Sequence, residues 1–300
     1  MWQIFSGRKS FADPVLGNYW LNRLGLHPAR IWLADRFLSG RRRLLGLQLS
    51  SEQLQTLKDT GIVVIPDFLP AEVFRQLKQQ SQALMDSLDQ RHPMVEFGER
   101  GFGQRHTFKG GFDRFDGGTL NRFYDLPADG AFADWLNNPR LRSLVQLGAG
   151  SRFGKSFGER FKLYRLRHGD EQANPDNQRL AHRDTFHSCI KMWFSLSDVT
   201  QEDGPFYYAP GTHKVTRQRR QWEYQRSLYA ARHNLGGAFR IDDDEIPERF
   251  GVELQPYPVA ENTLVLADVR GFHRRGHATS GRERLSIYGS FRPTPFKPLP

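Results

Sequence analysis

Cysteine is nearly absent from this sequence of 300 residues, in which Cys189 is the only one. A single thiol excludes a disulfide within the chain and a zinc site built from several cysteines, and it favours a reducing compartment. Long apolar runs are also missing, since no stretch reaches the roughly 18 apolar residues of a membrane span. The first twenty residues lack the apolar core of a signal peptide. We therefore expect a cytoplasmic protein.

The sequence has enough apolar residues for a sizeable core and an excess of positive charge. Hydrophobic residues make up 38% and aromatic residues 13%, which argues against disorder. The net charge is +10, and it is concentrated at the start of the chain. Residues 1–50 carry eight Lys or Arg against Asp13 and Asp35, a balance of 8 − 2 = +6. This segment predicts an anionic partner.

Residues 14–45 mix large apolar side chains with arginines at helical spacing. One face would hold Ile31, Trp32, Ala34, Phe37 and Leu38, with Arg41, Arg42 and Arg43 at the end of the helix. One interpretation is a helical arm packed on the rest of the protein, with its arginines in solvent. The other is a peripheral contact with the anionic inner face of a membrane. Nucleic acid is disfavoured because no nucleic-acid motif accompanies the charge.

The remainder of the chain predicts an α+β domain over residues 51–300, following a basic arm over residues 1–50. Helix, strand and long helix patterns precede residue 91, and short aromatic and β-branched strands separated by turn residues follow residue 160. Such strands indicate an antiparallel sandwich or barrel. Residues 214–235 read as a basic helical insertion. Residues 97–125, rich in glycine and aromatics, predict an irregular segment, either a lid or a plain surface loop.

His182 and Asp184 form a His-x-Asp motif, which by itself is too common to define a site. On a strand, residues two apart point to the same side, so both could contact one ion. A later histidine, His273, lies eleven residues before Arg284. Two imidazoles and one carboxylate form the facial triad of non-haem Fe(II) oxygenases, which leaves positions open for other ligands. A planar guanidinium suits the distal carboxylate of 2-oxoglutarate.

Four stretches in order resemble the phytanoyl-CoA dioxygenase family of Fe(II)- and 2-oxoglutarate-dependent oxygenases. They are GIVVIPDFLPAEVFRQL (61–77), HRD (182–184), DGPFYYAPGTHK (203–214) and HRRGHATSGRERL (273–285). The resemblance implies a mainly β, cupin-like jelly-roll core, a double-stranded β-helix over residues 155–292, with flanking N-terminal helices. It also implies His182, Asp184 and His273 as iron ligands, and Arg284 as the residue that binds 2-oxoglutarate.

Further residues are assigned by the same resemblance. Trp193 would line the co-substrate pocket, and Lys162 or Tyr164 would help to bind 2-oxoglutarate. His277 competes with His273 as the distal ligand, but it lies only seven residues from Arg284. His187 and His213 are expected to have structural roles. The sequence departs from the family at Arg275, where a small hydroxyl residue is common.

The resemblance implies hydroxylation of an unactivated C–H in a small-molecule or lipid-linked substrate, using Fe(II), 2-oxoglutarate and O2 and releasing succinate and CO2. Halogenating relatives lack the carboxylate that Asp184 supplies here, so hydroxylation is favoured over halogenation. The alternative is a non-catalytic β-helix protein that binds a ligand or an anionic membrane surface. A zinc hydrolase would leave Arg284 without a role. Substrate identity and oligomeric state stay open.

Overall fold

The computed structural model describes residues 2–45, 52–93, 105–169 and 175–299. Eight α-helices occur in these ranges: α1 (Tyr19–Arg23), α2 (Leu26–Leu44), α3 (Glu52–Thr60), α4 (Ala71–Arg91), α5 (Gly130–Asn137), α6 (Pro139–Ala149), α7 (Arg217–His233) and α8 (Glu245–Phe250). Short 3-10 helices lie at Trp2–Phe5, Gly154–Arg160 and Asn177–Arg179. Helix α7 lies within the predicted insertion.

Thirteen β-strands occur in the same ranges. They are β1 (Ile62–Ile65), β2 (Arg105–Phe108), β3 (Gly111–Asp116), β4 (Thr119–Asp125), β5 (Phe161–His168), β6 (His182–Arg183), β7 (Ile190–Ser195), β8 (Phe206–Tyr208), β9 (Phe239–Arg240), β10 (Gln255–Tyr257), β11 (Leu264–Asp268), β12 (His273–Arg275) and β13 (Glu283–Phe291). They form an eight-stranded sheet of order β1-β11-β7-β13-β5-β4-β3-β2 and a five-stranded sheet of order β10-β8-β12-β6-β9. All pairings are antiparallel. The predicted α+β, cupin-like jelly-roll fold is confirmed.

The two faces of the large sheet differ because side chains alternate along each strand. On β7, Ile190, Met192 and Phe194 are fully buried in the main hydrophobic cluster, which α3–α6 help to form. The centre of the Phe194 ring lies 4.5 Å from that of Trp135 on α5. The intervening Lys191, Trp193 and Ser195 instead line a cavity on the other face. One face of the sheet therefore supplies the core, and the other supplies the site.

Glycine is required where α3 turns into β1. Gly61 has φ +83°, a conformation that side chains disfavour, and a Cβ there would lie 2.3 Å from the Tyr208 hydroxyl and 2.5 Å from His213. The close approach lets β1 pair with β11 while the turn at His213 packs beneath it, and His213 Nε2 lies 3.1 Å from the Lys58 carbonyl oxygen. His213 thus has a structural contact, as expected.

The prediction of an irregular segment over residues 97–125 is wrong for its described part. Residues 105–125 form β2, β3 and β4, which extend the large sheet, and residues 97–104 lie outside the described residues. Phe112 on β3 stacks on Phe123 on β4, and Phe123 stacks on Tyr164 on β5, with ring centres 4.9 and 4.5 Å apart. Cross-strand aromatic stacking stabilises these strands, a tertiary effect that the glycine-rich sequence does not reveal.

The basic arm packs against the domain, and two of its arginines are buried instead of lying in solvent. Ile31, Ala34 and Leu38 of α2 are buried, whereas Trp32 is 47% exposed and does not share that face. Arg30 donates to the carbonyl oxygens of residues 4, 6 and 8. Arg41 donates to those of residues 150, 295 and 297. Buried carbonyl oxygens need hydrogen-bond donors, and these two arginines supply them. In the described ranges, no helix is long and apolar enough to cross a membrane.

Candidate metal centre

The five-stranded sheet places the two histidines of the predicted triad opposite each other. His182 on β6 pairs in register with His273 on β12, and the ring centres lie 4.5 Å apart. Asp184 follows β6, where its amide donates to the Val269 carbonyl oxygen at 2.9 Å. One ligand atom from each of the three side chains lies within 4.8 Å of the other two. The structure thus brings together three residues that lie up to 91 positions apart in the sequence.

Both imidazoles are oriented through their second nitrogen. His182 Nδ1 lies 2.7 Å from the Leu180 carbonyl oxygen, and His273 Nδ1 lies 2.9 Å from the Gly271 carbonyl oxygen. A carbonyl only accepts, so each Nδ1 carries the proton and each Nε2 presents its lone pair to the centre. Burial lowers the pKa of both rings, that of His273 to about 3. Neutral imidazoles with a free Nε2 are the form that binds a metal.

The two carboxylate oxygens of Asp184 face different partners. Oδ1 lies 3.6 Å from His182 Nε2 and 3.9 Å from His273 Nε2, whereas Oδ2 lies 2.5 Å from Lys191 Nζ. Burial alone would raise the pKa of Asp184, but the charge and hydrogen bond of the Lys191 ammonium group lower it below its usual value. An ionised carboxylate and two neutral imidazoles fit the donor set of a facial Fe(II) site.

Lys9, from the N-terminal arm, also contacts this carboxylate residue. Its ammonium group donates to the main-chain carbonyl oxygen of Asp184. Burial lowers the pKa of Lys9 to about 8, although the charge of Asp184 opposes the shift. The arm therefore contributes a side chain at the edge of the site.

Arg284 lies in a cavity of about 530 Å³ that also contains the triad. It donates to the Gly204 carbonyl oxygen at 2.7 Å, and no ion pair joins it to a carboxylate of the described residues. Burial lowers the pKa of its guanidinium to about 10, so the group remains charged at neutral pH. A cation without a carboxylate partner, facing a cavity, is suited to bind an anion.

The other predicted co-substrate residues differ in their surroundings. Trp193 lies in the cavity wall between Phe206 and Tyr288, with ring centres 4.7 and 5.9 Å away. Tyr164 donates to Asn121 Oδ1 at 2.6 Å in the same cavity. Lys162 also lines it, but its ammonium group forms an ion pair with Asp125.

Arg275 occupies the position where a small hydroxyl residue is common, and it is held by acceptors on several elements. It forms an ion pair with Asp176 and donates to Asn121 Oδ1 at 2.9 Å, and it lies 3.5 Å from Asp116 Oδ2. Arg275 and Arg284 thus both line the cavity, but Arg275 is already neutralised. Two other histidines considered from the sequence lie outside the triad. His277 is exposed, and its ring contacts Arg179 at 2.6 Å. His187 is buried, and its Nδ1 lies 3.0 Å from the Ser188 carbonyl oxygen.

Arg183, between the two candidate ligands on the chain, points away from the metal centre. It is fully buried and forms an ion pair with Glu223 on α7 at 2.7 Å, and its guanidinium lies 4.0 Å from the centre of the Phe239 ring. Glu223 also contacts Arg219 at 3.0 Å and His27 on α2 at 2.9 Å. This cluster, which we call the Glu223 cluster, joins the arm and α7 to the back of the His-x-Asp strand.

Sequence reasoning missed Lys191, Lys9 and the Glu223 cluster. A signal for Lys191 was present, because it lies two residues before Trp193 on the same strand and therefore faces the same side of the sheet. Lys9 and His27 lie more than 150 positions before Asp184 and gave no local signal.

An antiparallel β-helix with a His-Asp-His cluster between its sheets is the arrangement of non-haem iron oxygenases that use 2-oxoglutarate. A sequence model of phytanoyl-CoA dioxygenase (PhyH) matches residues 57–286, and the chain belongs to this family. The family and the donor set agree with the predicted Fe(II), 2-oxoglutarate and O2. No curated protein matches the chain by sequence.

Solved structures resemble the chain at low identity. The epimerase SnoN, in complex with Fe3+, alpha ketoglutarate and nogalamycin RO, is 16% identical, with a TM-score of 0.48 over 80% of this chain and 85% of SnoN. HygX from Streptomyces hygroscopicus, with nickel and 2-oxoglutarate bound, is 17% identical, with a TM-score of 0.44 over 81% and 87%. EctD from S. alaskensis, with bound Fe, is 13% identical, with a TM-score of 0.45 over 81% and 76%. These similarities are too distant to define the reaction.

Proposed function

We propose that this protein is an Fe(II)- and 2-oxoglutarate-dependent dioxygenase that hydroxylates an unactivated C–H of a small-molecule or lipid-linked substrate. The observation that carries the proposal is that one cavity contains both the His182–Asp184–His273 cluster and the guanidinium of Arg284, which has no ion pair with a described carboxylate. A binding protein without catalysis needs no such combination of three convergent ligand atoms and a cation.

In this proposal His182 Nε2, His273 Nε2 and Asp184 Oδ1 hold the iron, which supplies the oxidising power for C–H cleavage. Leu180 and Gly271 fix the imidazoles through their carbonyl oxygens, and Lys191 restrains Asp184 Oδ2. Arg284 binds the distal carboxylate of 2-oxoglutarate by charge and by its paired N–H donors.

The cavity wall orients the co-substrate and excludes water. Trp193 and Tyr288 form an apolar surface beside the metal centre, and Tyr164 presents its hydroxyl from the neighbouring strand. Lys162 is a weaker candidate for a direct contact, because Asp125 already neutralises it. In such chemistry the protein positions the reacting groups and excludes water from the site.

The test is succinate release from 2-oxoglutarate by full-length protein supplied with Fe(II) and O2. We expect slow release without substrate, and its loss in His182→Ala, because a missing imidazole removes a metal ligand. His233→Ala, which changes a histidine at the end of α7 far from the triad in sequence, is the control. Protein that binds no Fe(II), with the same metal content in wild type and His182→Ala, would refute the proposal.

We also propose that the arm contacts an anionic membrane surface. Its exposed Trp2, Trp20 and Trp32 each lie beneath an arginine, with Arg8, Arg23 and Arg36 at 4.8, 5.4 and 5.4 Å from the ring centres. Tryptophan and arginine together suit an interface with anionic headgroups. Wild-type protein should sediment with anionic vesicles but not with neutral ones, and replacement of the three tryptophans by serine should abolish this. Equal recovery of both proteins with anionic vesicles would contradict it.

A further inference from the structure

The cavity that holds the candidate metal centre has a strongly cationic lining. Among the described residues, its wall contains one carboxylate, Asp184, and eight Lys or Arg, namely Arg105, Arg114, Arg160, Lys162, Lys191, Arg274, Arg275 and Arg284. A low-dielectric cavity with one sign of charge concentrates ligands of the opposite sign. Whether this wall recognises a substrate depends on which cations already have partners.

Five of the eight are neutralised by neighbouring carboxylates. Arg114 pairs with Asp116, Lys162 with Asp125, Lys191 with Asp184, Arg274 with Asp243 and Arg275 with Asp176. Arg284 has no ion pair with a described carboxylate, and neither do Arg160 and Arg105, whose guanidinium groups lie over the rings of Phe153 and Phe112 at 4.5 and 4.7 Å. The buried Nε of Arg160 also has no hydrogen-bond acceptor among the described residues. An unsatisfied buried donor favours an incoming acceptor.

Arg160 and Arg284 lie toward opposite ends of the cavity. Strand β13 connects the two regions: Arg284 pairs with Leu166, and Gly289 pairs with Phe161, the residue after Arg160. Five residues of antiparallel strand span about 17 Å. On the other side of β13, Lys191 pairs with Ser290. Arg160 is therefore about two strand spacings, roughly 10 Å, from the lysine that contacts Asp184.

We infer that Arg160 binds an anionic group, a carboxylate or a phosphate, on the substrate. This assignment rests on the proposed function, because 2-oxoglutarate at Arg284 leaves the Arg160 end of the cavity for the substrate. Both anions match the planar, paired donors of a guanidinium. Trp193, Phe206, Tyr288 and Val265 add apolar and aromatic surface to the cavity wall, beside the hydroxyl groups of Ser286 and Ser290. The substrate is thus a molecule that combines an apolar part with an anionic group.

The experiment measures the binding of four probes of equal chain length to full-length protein loaded with Mn(II) and 2-oxoglutarate. Octanoate and octyl phosphate carry the anion, octanol is neutral, and octyltrimethylammonium is cationic. We expect the anions to bind at least about tenfold more tightly than octanol, and Arg160→Met to remove this preference. Arg160→Lys should restore part of it. Arg152→Met, which removes an exposed arginine from the same segment, should bind as wild type.

Comparison of the two anionic probes distinguishes a carboxylate site from a phosphate site. Octanol binding as tightly as both anions, or unchanged anion affinity in Arg160→Met, would overturn the inference. Succinate formation is measured in parallel. Anion binding through Arg160 without succinate release would count against the oxygenase proposal alone, whereas succinate release without anion preference would count against the Arg160 site alone.

Discussion

Lys191 Nζ lies 2.5 Å from Asp184 Oδ2, on the side of the carboxylate opposite to the two histidines. The pairing leaves only Oδ1 directed at the candidate metal centre. A carboxylate restrained in this way binds a metal through one oxygen and leaves neighbouring coordination positions open. Residues that contact a metal ligand in this way orient the ligand and change the affinity of the site for the metal.

Replacing Lys191 by methionine should weaken metal binding. Without its partner, Asp184 is free to rotate or to bind through both oxygens, and partners of metal ligands typically contribute about 10- to 100-fold in affinity or activity. The measurement is a titration with Mn(II), followed by water relaxation or calorimetry. Lys191→Arg should retain most of the affinity. Lys78→Met, which breaks an exposed ion pair with Glu261, is the control, and an equal loss in both methionine variants would contradict the role of Lys191.

Replacing Arg284 by methionine should weaken 2-oxoglutarate binding selectively. Loss of a charged pair of hydrogen bonds costs about 1.5–3 kcal/mol, or about 10- to 150-fold in affinity. We expect the KM for 2-oxoglutarate to rise by this factor while the affinity for Mn(II) stays unchanged. Arg167→Met, a surface change opposite Glu283 on the neighbouring strand, should leave the KM unchanged. A wild-type KM in Arg284→Met would show that another cation binds the co-substrate.

The Glu223 cluster should be a major source of stability. Glu223→Ala would leave Arg183 and Arg219 buried without their carboxylate, and uncompensated buried charges cost about 3–5 kcal/mol. The measurement is the free energy of unfolding in urea. Glu245→Ala removes the partner of the more exposed Arg226 and Arg249, and should cost about 1 kcal/mol or less. Similar losses in the two variants would contradict a special role for the cluster.

Buried neutral histidines should make the protein sensitive to acid. Burial lowers the pKa of His187 to about 3 and that of His213 to about 4 in the folded protein. The unfolded chain binds these protons at about pH 6.5. Their contribution to stability is therefore present above pH 6.5 and is lost as the pH falls, by about 1.4 kcal/mol per pH unit for each histidine.

His187→Leu tests this dependence, because His187 is buried and lies outside the metal centre. Between pH 6.5 and pH 5, the free energy of unfolding of the variant should fall less steeply than that of wild type. The difference in slope should be about 1.4 kcal/mol per pH unit, the value for one proton. Parallel curves for the two proteins would show that His187 does not remain neutral in the folded state.

The sequence was sufficient to predict the β-rich fold, because alternating strands and turn residues are local signals. It was also sufficient to place His182, Asp184 and His273 in one hypothesis, because their order and the interval to Arg284 resemble a family. It was not sufficient to predict that Arg30 and Arg41 are buried, because their burial depends on carbonyl groups that are distant in the sequence. Strands β2–β4 were missed for a similar reason, since their stability comes from cross-strand stacking of Phe112, Phe123 and Tyr164.

We propose that one metal ion held by His182, Asp184 and His273 binds 2-oxoglutarate. The most direct measurement is an anaerobic titration of full-length protein with Fe(II) and 2-oxoglutarate, monitored by the visible absorption that arises when the 2-oxo acid chelates the metal. We expect a band that saturates at one iron and one 2-oxoglutarate per chain, and that is absent in His182→Ala. No band in wild type, or an undiminished band in His182→Ala, would contradict it.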